Sequence, residues 1–282
     1  MICLTFDIEE RFHSHLTPDD APRRWRARDR IAALLDCLEQ RGVGATFFVV
    51  GELAERYPDL IRRMATAGFE VASHSHTHPR LDAPDRRRAM EDIARSKRVL
   101  EDLTGGAIHG FRAPSWSARR SDDWLWDHLL ELRFEYDSSL FPFRTHLYGS
   151  FRNPTRPYRL RPGLLEIPPS VCRLGWLRVP YGGGFYFRLY PAWVTRWLVE
   201  RDLRSGKAPI AYFHPWDFDT EPDRLESGPL NRFIGTWASG DTWHKFRQLV
   251  DRYPFRALDD YRRTLRDVAE YRRADPPRDG ER

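Results

Sequence analysis

The sequence predicts an α/β barrel, on three observations. Short apolar runs alternate with stretches of helical periodicity. The apolar runs are near-continuous, which fits parallel strands covered on both faces. About seven such β/α units can be counted along the 282 residues, favouring a barrel over an open sheet and one domain over two.

Ile2 to Asp7 reads as the first strand and residues 17–28 as a loop. Ile31, Leu34, Leu35 and Leu38 recur at helical spacing, with Asp29 as the N-cap and Gly42 just past the end. "ATFFVV" (45–50) is an apolar strand. The next helix runs to Gly68, its second part opened by Pro58. "FEVAS" (69–73) is a strand. Ala89, Ile93, Ser96, Leu100 and Leu103 mark a long helix closed by Gly105 and Gly106. "IHGFRAP" (108–114) is a strand entering a loop, residues 122–132 a helix, and "FEYDSSLF" (134–141) a short strand and loop. Residues 142–190 break the rhythm. Their Pro, Gly, Arg and aromatic content predicts an insertion of β-hairpins or long loops. Alternation resumes with helix 191–204, strand "PIAYF" (209–213), helix 241–252, strand "FRAL" (255–258) and helix 259–271. The domain is thus expected to span 1–271, with 272–282 a disordered tail.

Composition narrows the function classes. The net charge is +5, but its arginines are spread over helix faces and no nucleic-acid-binding module accompanies them, so nucleic acid is not an expected partner. Three cysteines form no paired motif, which fits a reducing compartment. No leader pattern and no apolar run near the length of a membrane span is present, so a soluble, cytoplasmic protein is expected. Oligomeric state is not legible.

In a β/α barrel, chemistry gathers at the C-terminal ends of the strands. Those ends carry Asp7, Glu9 and Glu10; His74, His76 and His78; Arg112; Asp137; and His214. Five strand ends with ionisable residues form a constellation. His74 and His78, four apart, would face one side of a helical turn and suit a divalent metal, while His76 would point away. A catalytic metal site takes three protein ligands, so a carboxylate must join them. Asp7 and Glu9 point the same way on an extended backbone: one would bind metal and the other accept a proton from water. His214 is the candidate general acid.

The ordered set "TFDIEE", "HSHTH", "FRAPSW", "YDSS" and "YFHPW" resembles the motifs of the polysaccharide deacetylases, carbohydrate esterase family 4, over residues 3–219. "FRAPSWS", "YDSSLFP", "GGGFYFR" and "YFHPWDFD" are most similar to the subgroup of exopolysaccharide and exosortase gene clusters. The resemblance implies a partly open (β/α)7-type barrel and metal-dependent removal of an N- or O-acetyl group from a sugar. It implies Asp7 as base, His74 and His78 as metal ligands, His214 as acid, Arg112 orienting Asp7, and Asp137 holding His214. Pro114 and Trp116 would shape the groove, Ser138 and Trp216 would contact substrate, and an amide near Ser138 or Ser139 would face the oxyanion. The family's first motif usually holds two consecutive aspartates, whereas Ile8 follows Asp7 here. Glu9 is then the expected third ligand, with Glu10 its rival. The expected cofactor is one divalent ion, zinc first, with cobalt, manganese, nickel or iron as alternatives. Expected substrates are an N-acetylated sugar, an oligosaccharide or a lipid-linked glycan. Aromatics of the insertion (Phe151, Tyr158, Trp176, Tyr181, Phe185, Tyr186, Phe187) would stack on sugar or pack the insertion. Competing readings are a hydrolase of cyclic amides and a non-catalytic glycan binder.

Overall fold

A computed structural model describes residues 1–18, 20–83, 85–220, 228–266 and 268–270. The first half alternates as expected. Strand β1 (Ile2–Ile8) leads to helix α1 (Ala27–Glu39), then β2 (Thr46–Val49), α2 (Gly51–Arg56) and α3 (Pro58–Thr66). β3 (Glu70–Ser73), α4 (Arg86–Thr104), β4 (Gly110–Phe111), α5 (Asp123–Glu131) and β5 (Tyr136–Asp137) follow. Pro58 opens α3, since a first-turn residue needs no amide donor. Gly105 ends α4 at φ 71°, the left-handed conformation that glycine takes without a Cβ clash.

The 142–190 stretch holds β-hairpins, one of its two expected forms. β6 (Tyr158–Arg161) and β7 (Leu164–Glu166) form an antiparallel hairpin, and β7 joins the main sheet beside β5. β8 (Val171–Leu174) and β9 (Leu177–Pro180) form a separate two-stranded hairpin, and α6 (Gly184–Leu189) follows. Part of the supposed insertion therefore extends the barrel wall. The chain continues through α7 (Ala192–Arg204), β10 (Ile210–Phe213), α8 (Gly228–Thr236), α9 (Thr242–Arg252), β11 (Phe255–Arg256) and α10 (Leu258–Thr264). The last helix is shorter than the expected 259–271, and the expected tail, 272–282, lies outside the described residues.

The sheet order is β10-β1-β2-β3-β4-β5-β7-β6, with β11 beside β1. The strands from β10 to β7 are parallel, and β6 alone is antiparallel. Among the described residues β10 does not pair with β6, so the curled sheet is a half-closed barrel, the partly open form expected. Buried aromatics lock its helix-covered face: Phe6 stacks on Phe47 at 5.2 Å and meets Phe246 edge-on at 6.0 Å. Main-chain pairing aligns the strands so that Asp7 is level with Phe48, and Ser73 with Phe111. The residues just past these positions, Glu9, His74 and Arg112, therefore emerge on one rim. No helix among the described residues is long and apolar enough to cross a membrane.

Candidate functional site

Three residues on that rim form a compact cluster. Ligand-type atoms of Glu9, His74 and His78, all buried, lie within 4.8 Å of one another. Glu9 Oε2 is 2.5 Å from His78 Nε2 and 3.6 Å from His74 Nε2. The histidines do not share a helical turn. His74 directly follows β3, and His78 sits further along the loop at φ 61°, a strained conformation for a non-glycine residue. His74 Nδ1 faces the Arg112 carbonyl at 2.7 Å, leaving Nε2 toward the cluster. Burial lowers the His74 pKa to about 4, so the ring is neutral and its lone pair free to ligate. Glu9 Oε2 and His78 Nε2 make no hydrogen bond although both are buried. Such orphaned atoms are costly, and a cation is what this donor set would satisfy. The residues fit a divalent metal.

Glu10 points elsewhere. Its carboxylate accepts the backbone amides of Arg26 and Ala27 at 2.9 and 2.8 Å and so caps α1, the task expected of Asp29. His76 also turns away, its ring against Gly51, where an added Cβ would lie 2.3 Å from Nδ1.

Asp7 is gripped from behind. Its Oδ1 accepts from Arg112 at 2.5 Å, while the same guanidinium donates to Thr5 Oγ1, Ser138 O and Ser138 Oγ at 3.0–3.2 Å. Arg112 is fully buried between Phe48 and Trp116, whose ring centres lie 4.0 and 4.9 Å from its guanidinium carbon. Asp7 Oδ2 is left facing His214 Nε2 at 3.9 Å, and Glu9 Oε1 is 3.8 Å from the same nitrogen.

The partner of His214 is not Asp137. Asp217 Oδ2 contacts His214 Nδ1 at 3.1 Å and accepts the His214 amide at 2.9 Å. Burial lowers the His214 pKa, but the hydrogen bond and charge of Asp217 outweigh it and raise the pKa above the ordinary histidine value. Arg188 NH2 holds the other Asp217 oxygen at 3.2 Å. Asp137 instead accepts from Ser139 Oγ at 2.5 Å and from the Ser139 amide at 3.0 Å, and hydrogen-bonds to Glu166, within the barrel wall. The Ser138 amide donates to Phe111 O. Both serine amides are therefore committed, and neither is free for an oxyanion.

A cavity of about 150 Å³ opens over these groups. Asp7, Glu9, His74 and His214 form its floor. Trp116, Tyr148, Tyr186, Phe185, Tyr212 and Trp216 supply aromatic wall, with Trp216 stacked on His214 at 4.4 Å and 9°. Pro114 and Ser138 stand behind the lining, Pro114 opening the turn that presents Trp116 and Ser138 bracing Arg112. Of the insertion aromatics, Phe185 and Tyr186 reach the cavity; Tyr158, Tyr181 and Phe187 are core, and Phe151 and Trp176 are exposed. Sequence reasoning missed Asp217, Arg188, His15 and Ser115. Asp217 had a signal, since a side chain three residues after a 3₁₀-helix N-cap folds back onto it. Arg188, on α6, and Ser115 lie within the quoted stretches "GGGFYFR" and "FRAPSWS", whose polar residues could have been given roles, whereas His15 comes from a loop with no such signal.

The polysaccharide deacetylase family profile matches residues 2–127, and that of a domain of unknown function (DUF3473) matches residues 138–263. The chain is 37% identical to a Bradyrhizobium chitooligosaccharide deacetylase over 109 residues, 38% of this chain and 48% of that protein. It is 33% identical to a Bacillus cereus peptidoglycan-N-acetylglucosamine deacetylase over 99 residues, 35% of this chain and 34% of that protein. The matches thus span about half or less of those relatives. Two solved structures share the fold. One, from Mycobacterium smegmatis and provisionally described as a polysaccharide deacetylase, superposes with TM-score 0.57 at 21% identity, over 88% of this chain and 81% of that one. The other, a family 4 carbohydrate esterase from Streptomyces lividans in complex with acetate, gives 0.50 at 17% identity, over 96% and 97%.

Proposed function

We propose that the chain is a metal-dependent carbohydrate deacetylase that removes an acetyl group, first of all an N-acetyl group, from a sugar or glycan. The observation that carries this reading is a convergence in one cavity. An orphaned Glu9–His74–His78 cluster lies beside an arginine-held carboxylate and a carboxylate-held histidine. A divalent ion, zinc first, would be held by Glu9, His74 and His78, and when bound supplies the positive charge that polarises a carbonyl and acidifies water. The remaining steps belong to the protein. Asp7 accepts the proton of the water as it adds to the acetyl carbon, with Arg112 on Oδ1 keeping Oδ2 aimed. His214 gives its Nε2 proton to the departing amine nitrogen, with Asp217 fixing the ring through Nδ1. Acetate and an amino sugar result.

Sugar as substrate is supported by the aromatic walls and by relatives named for chitooligosaccharide and peptidoglycan deacetylation. The motif set supports a role in exopolysaccharide assembly, and the second matched region is consistent with it. Action inside the cell would favour a small or lipid-linked glycan over a finished polymer. The test is acetate release from N-acetylated sugars after chelation and stepwise return of zinc, cobalt or manganese. Activity is expected only with metal restored. Stoichiometric metal at this cluster with no acetate from any such sugar would overturn the reading.

A further inference from the structure

One pair of cavity residues has no part in the proton transfers. His15 Nδ1 lies 2.8 Å from Ser115 Oγ, joining two loops 100 residues apart in sequence. Both residues line the cavity whose floor is Asp7, Glu9, His74 and His214. Ser115 sits at φ 53° and ψ 25°, and the next residue, Trp116, is also at φ 53°. Two consecutive left-handed non-glycine residues are strained, and such strain persists only where surrounding bonds impose it. Here they do. Ser139 Oγ accepts the Ala113 amide at 2.7 Å, and Ser117 Oγ, which accepts the Leu81 amide, donates to Pro114 O. The turn is thus braced on both sides of Ser115, which lines the cavity. His15 is braced too, with Tyr148 edge-on at 6.1 Å. Burial lowers its pKa to about 4, so the ring is neutral near pH 7.

We propose that His15 and Ser115 form a substrate-reading pair that hydrogen-bonds a ring hydroxyl of the sugar, next to the acetyl group being removed. The proposal rests on the deacetylase reading above. The chemistry of the pair argues for a hydroxyl. A neutral imidazole carries one donor and one acceptor, and a serine hydroxyl one donor and two acceptor lone pairs. Their mutual bond consumes one of each kind. Whichever group donates in that bond, one donor and at least one acceptor remain for the cavity. A sugar hydroxyl needs both, whereas a carboxylate or phosphate offers only acceptors and an ammonium only donors. The pair is uncharged and suits a neutral sugar. Its position over the metal-type cluster and the acid histidine makes it a specificity element for the same site, not a second catalytic centre.

The test compares wild type with Ser115→Ala, Ser115→Gly, His15→Phe and His15→Asn on N-acetylglucosamine oligomers, on their deoxy analogues, and on an aryl acetate ester that has no ring hydroxyl. Ser115→Ala and His15→Phe should lower kcat/KM on the oligomer roughly 10- to 100-fold, mainly through KM, the range for stranding one buried hydrogen-bond partner. The aryl ester should change less than about twofold, since it makes no such bond. His15→Asn, which can still bond Ser115, should recover part of the loss. One deoxy sugar should be as poor for wild type as the full sugar is for Ser115→Ala, and should lose nothing further in that variant. Ser115→Gly relieves the left-handed strain, so it should match Ser115→Ala in KM without losing thermal stability. Equal losses on oligomer and ester, or no deoxy position coupled to Ser115, would overturn the proposal. If wild type releases no acetate from any sugar, it is the deacetylase reading that fails. Calorimetric binding of the sugar and its deoxy analogues then reads the pair directly, and equal affinities for Ser115→Ala and wild type would overturn it.

Discussion

The two ends of the barrel each bury a glutamate, and they treat it in opposite ways. At the N-terminal ends of the strands, Glu70 accepts from Thr46 Oγ1 at 2.5 Å, Tyr136 OH at 2.6 Å and the Asp259 amide at 2.9 Å. Burial pushes its pKa up to about 7, and none of its oxygens lacks a partner. At the C-terminal ends, burial likewise raises the pKa of Glu9, but neighbouring His78, with His74 and His214, overrides it and holds the group at about 2. Its Oε2 lies 2.5 Å from His78 Nε2 without a well-directed hydrogen bond. Glu70 has both oxygens bonded, whereas Glu9 does not. A half-satisfied polar network lowers stability, and the buried atoms of Glu9 and His78 are ones that a cation would satisfy.

Substitutions at the two ends should separate function from stability. The largest effect is expected at the C-terminal end: Ala at His74 or His78, or Gln at Glu9, should abolish tight divalent-metal binding, measured by calorimetry and by metal content after dialysis. Glu10→Gln should keep the metal and instead cost about 1 kcal/mol of thermal stability through its cap on α1. Metal loss in Glu10→Gln with retention in Glu9→Gln would reverse this assignment.

Next in size, Asp7→Asn and His214→Asn should each lower kcat roughly 100- to 10,000-fold while metal content stays at wild-type level. Equal metal loss in Asp7→Asn would make Asp7 a ligand as well. Smaller again, Asp217→Asn should cost roughly 10- to 100-fold, as expected for a group that orients an active histidine. Asp137→Asn should disturb thermal stability more than rate, since it braces Ser139 and pairs with Glu166. A larger rate loss in Asp137→Asn than in Asp217→Asn would restore the pairing that the sequence suggested.

The smallest effect on chemistry belongs to the N-terminal end. Glu70 keeps its proton in the fold to about pH 7 but ionises near 4.5 in its unperturbed state. Unfolding therefore releases a proton between those values, and the contribution of Glu70 is complete below pH 4.5 and falls as pH rises toward 7. Glu70→Gln, always neutral, should flatten that slope in denaturant titrations and leave kcat on the sugar within about twofold. An unchanged slope would mean that the carboxylate is ionised in the fold.

Much of this was legible in the sequence because parallel strands impose a rule. Apolar runs fixed the strands, and the rule that chemistry follows strand ends brought Asp7, Glu9, His74, Arg112 and His214 to one rim. What the rule could not carry was local geometry. His74 and His78 converge through a left-handed turn, not a helix, because a loop can reach the same separation with a strained φ. Asp137 has the right strand end but turns into the wall, where Ser139 and Glu166 satisfy it, while Asp217 reaches His214 from three residues away. Periodicity also failed in 142–190. The strands there are three or four residues long, too short to display a period. The pairing of His15 with Ser115 depends on contact between loops far apart in sequence, which no local pattern encodes.

Arg112 has a consequence of a mechanical kind. Its guanidinium clamps Asp7, and its carbonyl sets the ring of His74. A single residue is thus the common joint of two groups at the ends of two other strands. A change in the seat of Arg112 would be felt by both at once, so the aim of the carboxylate and the aim of the imidazole are set by one part.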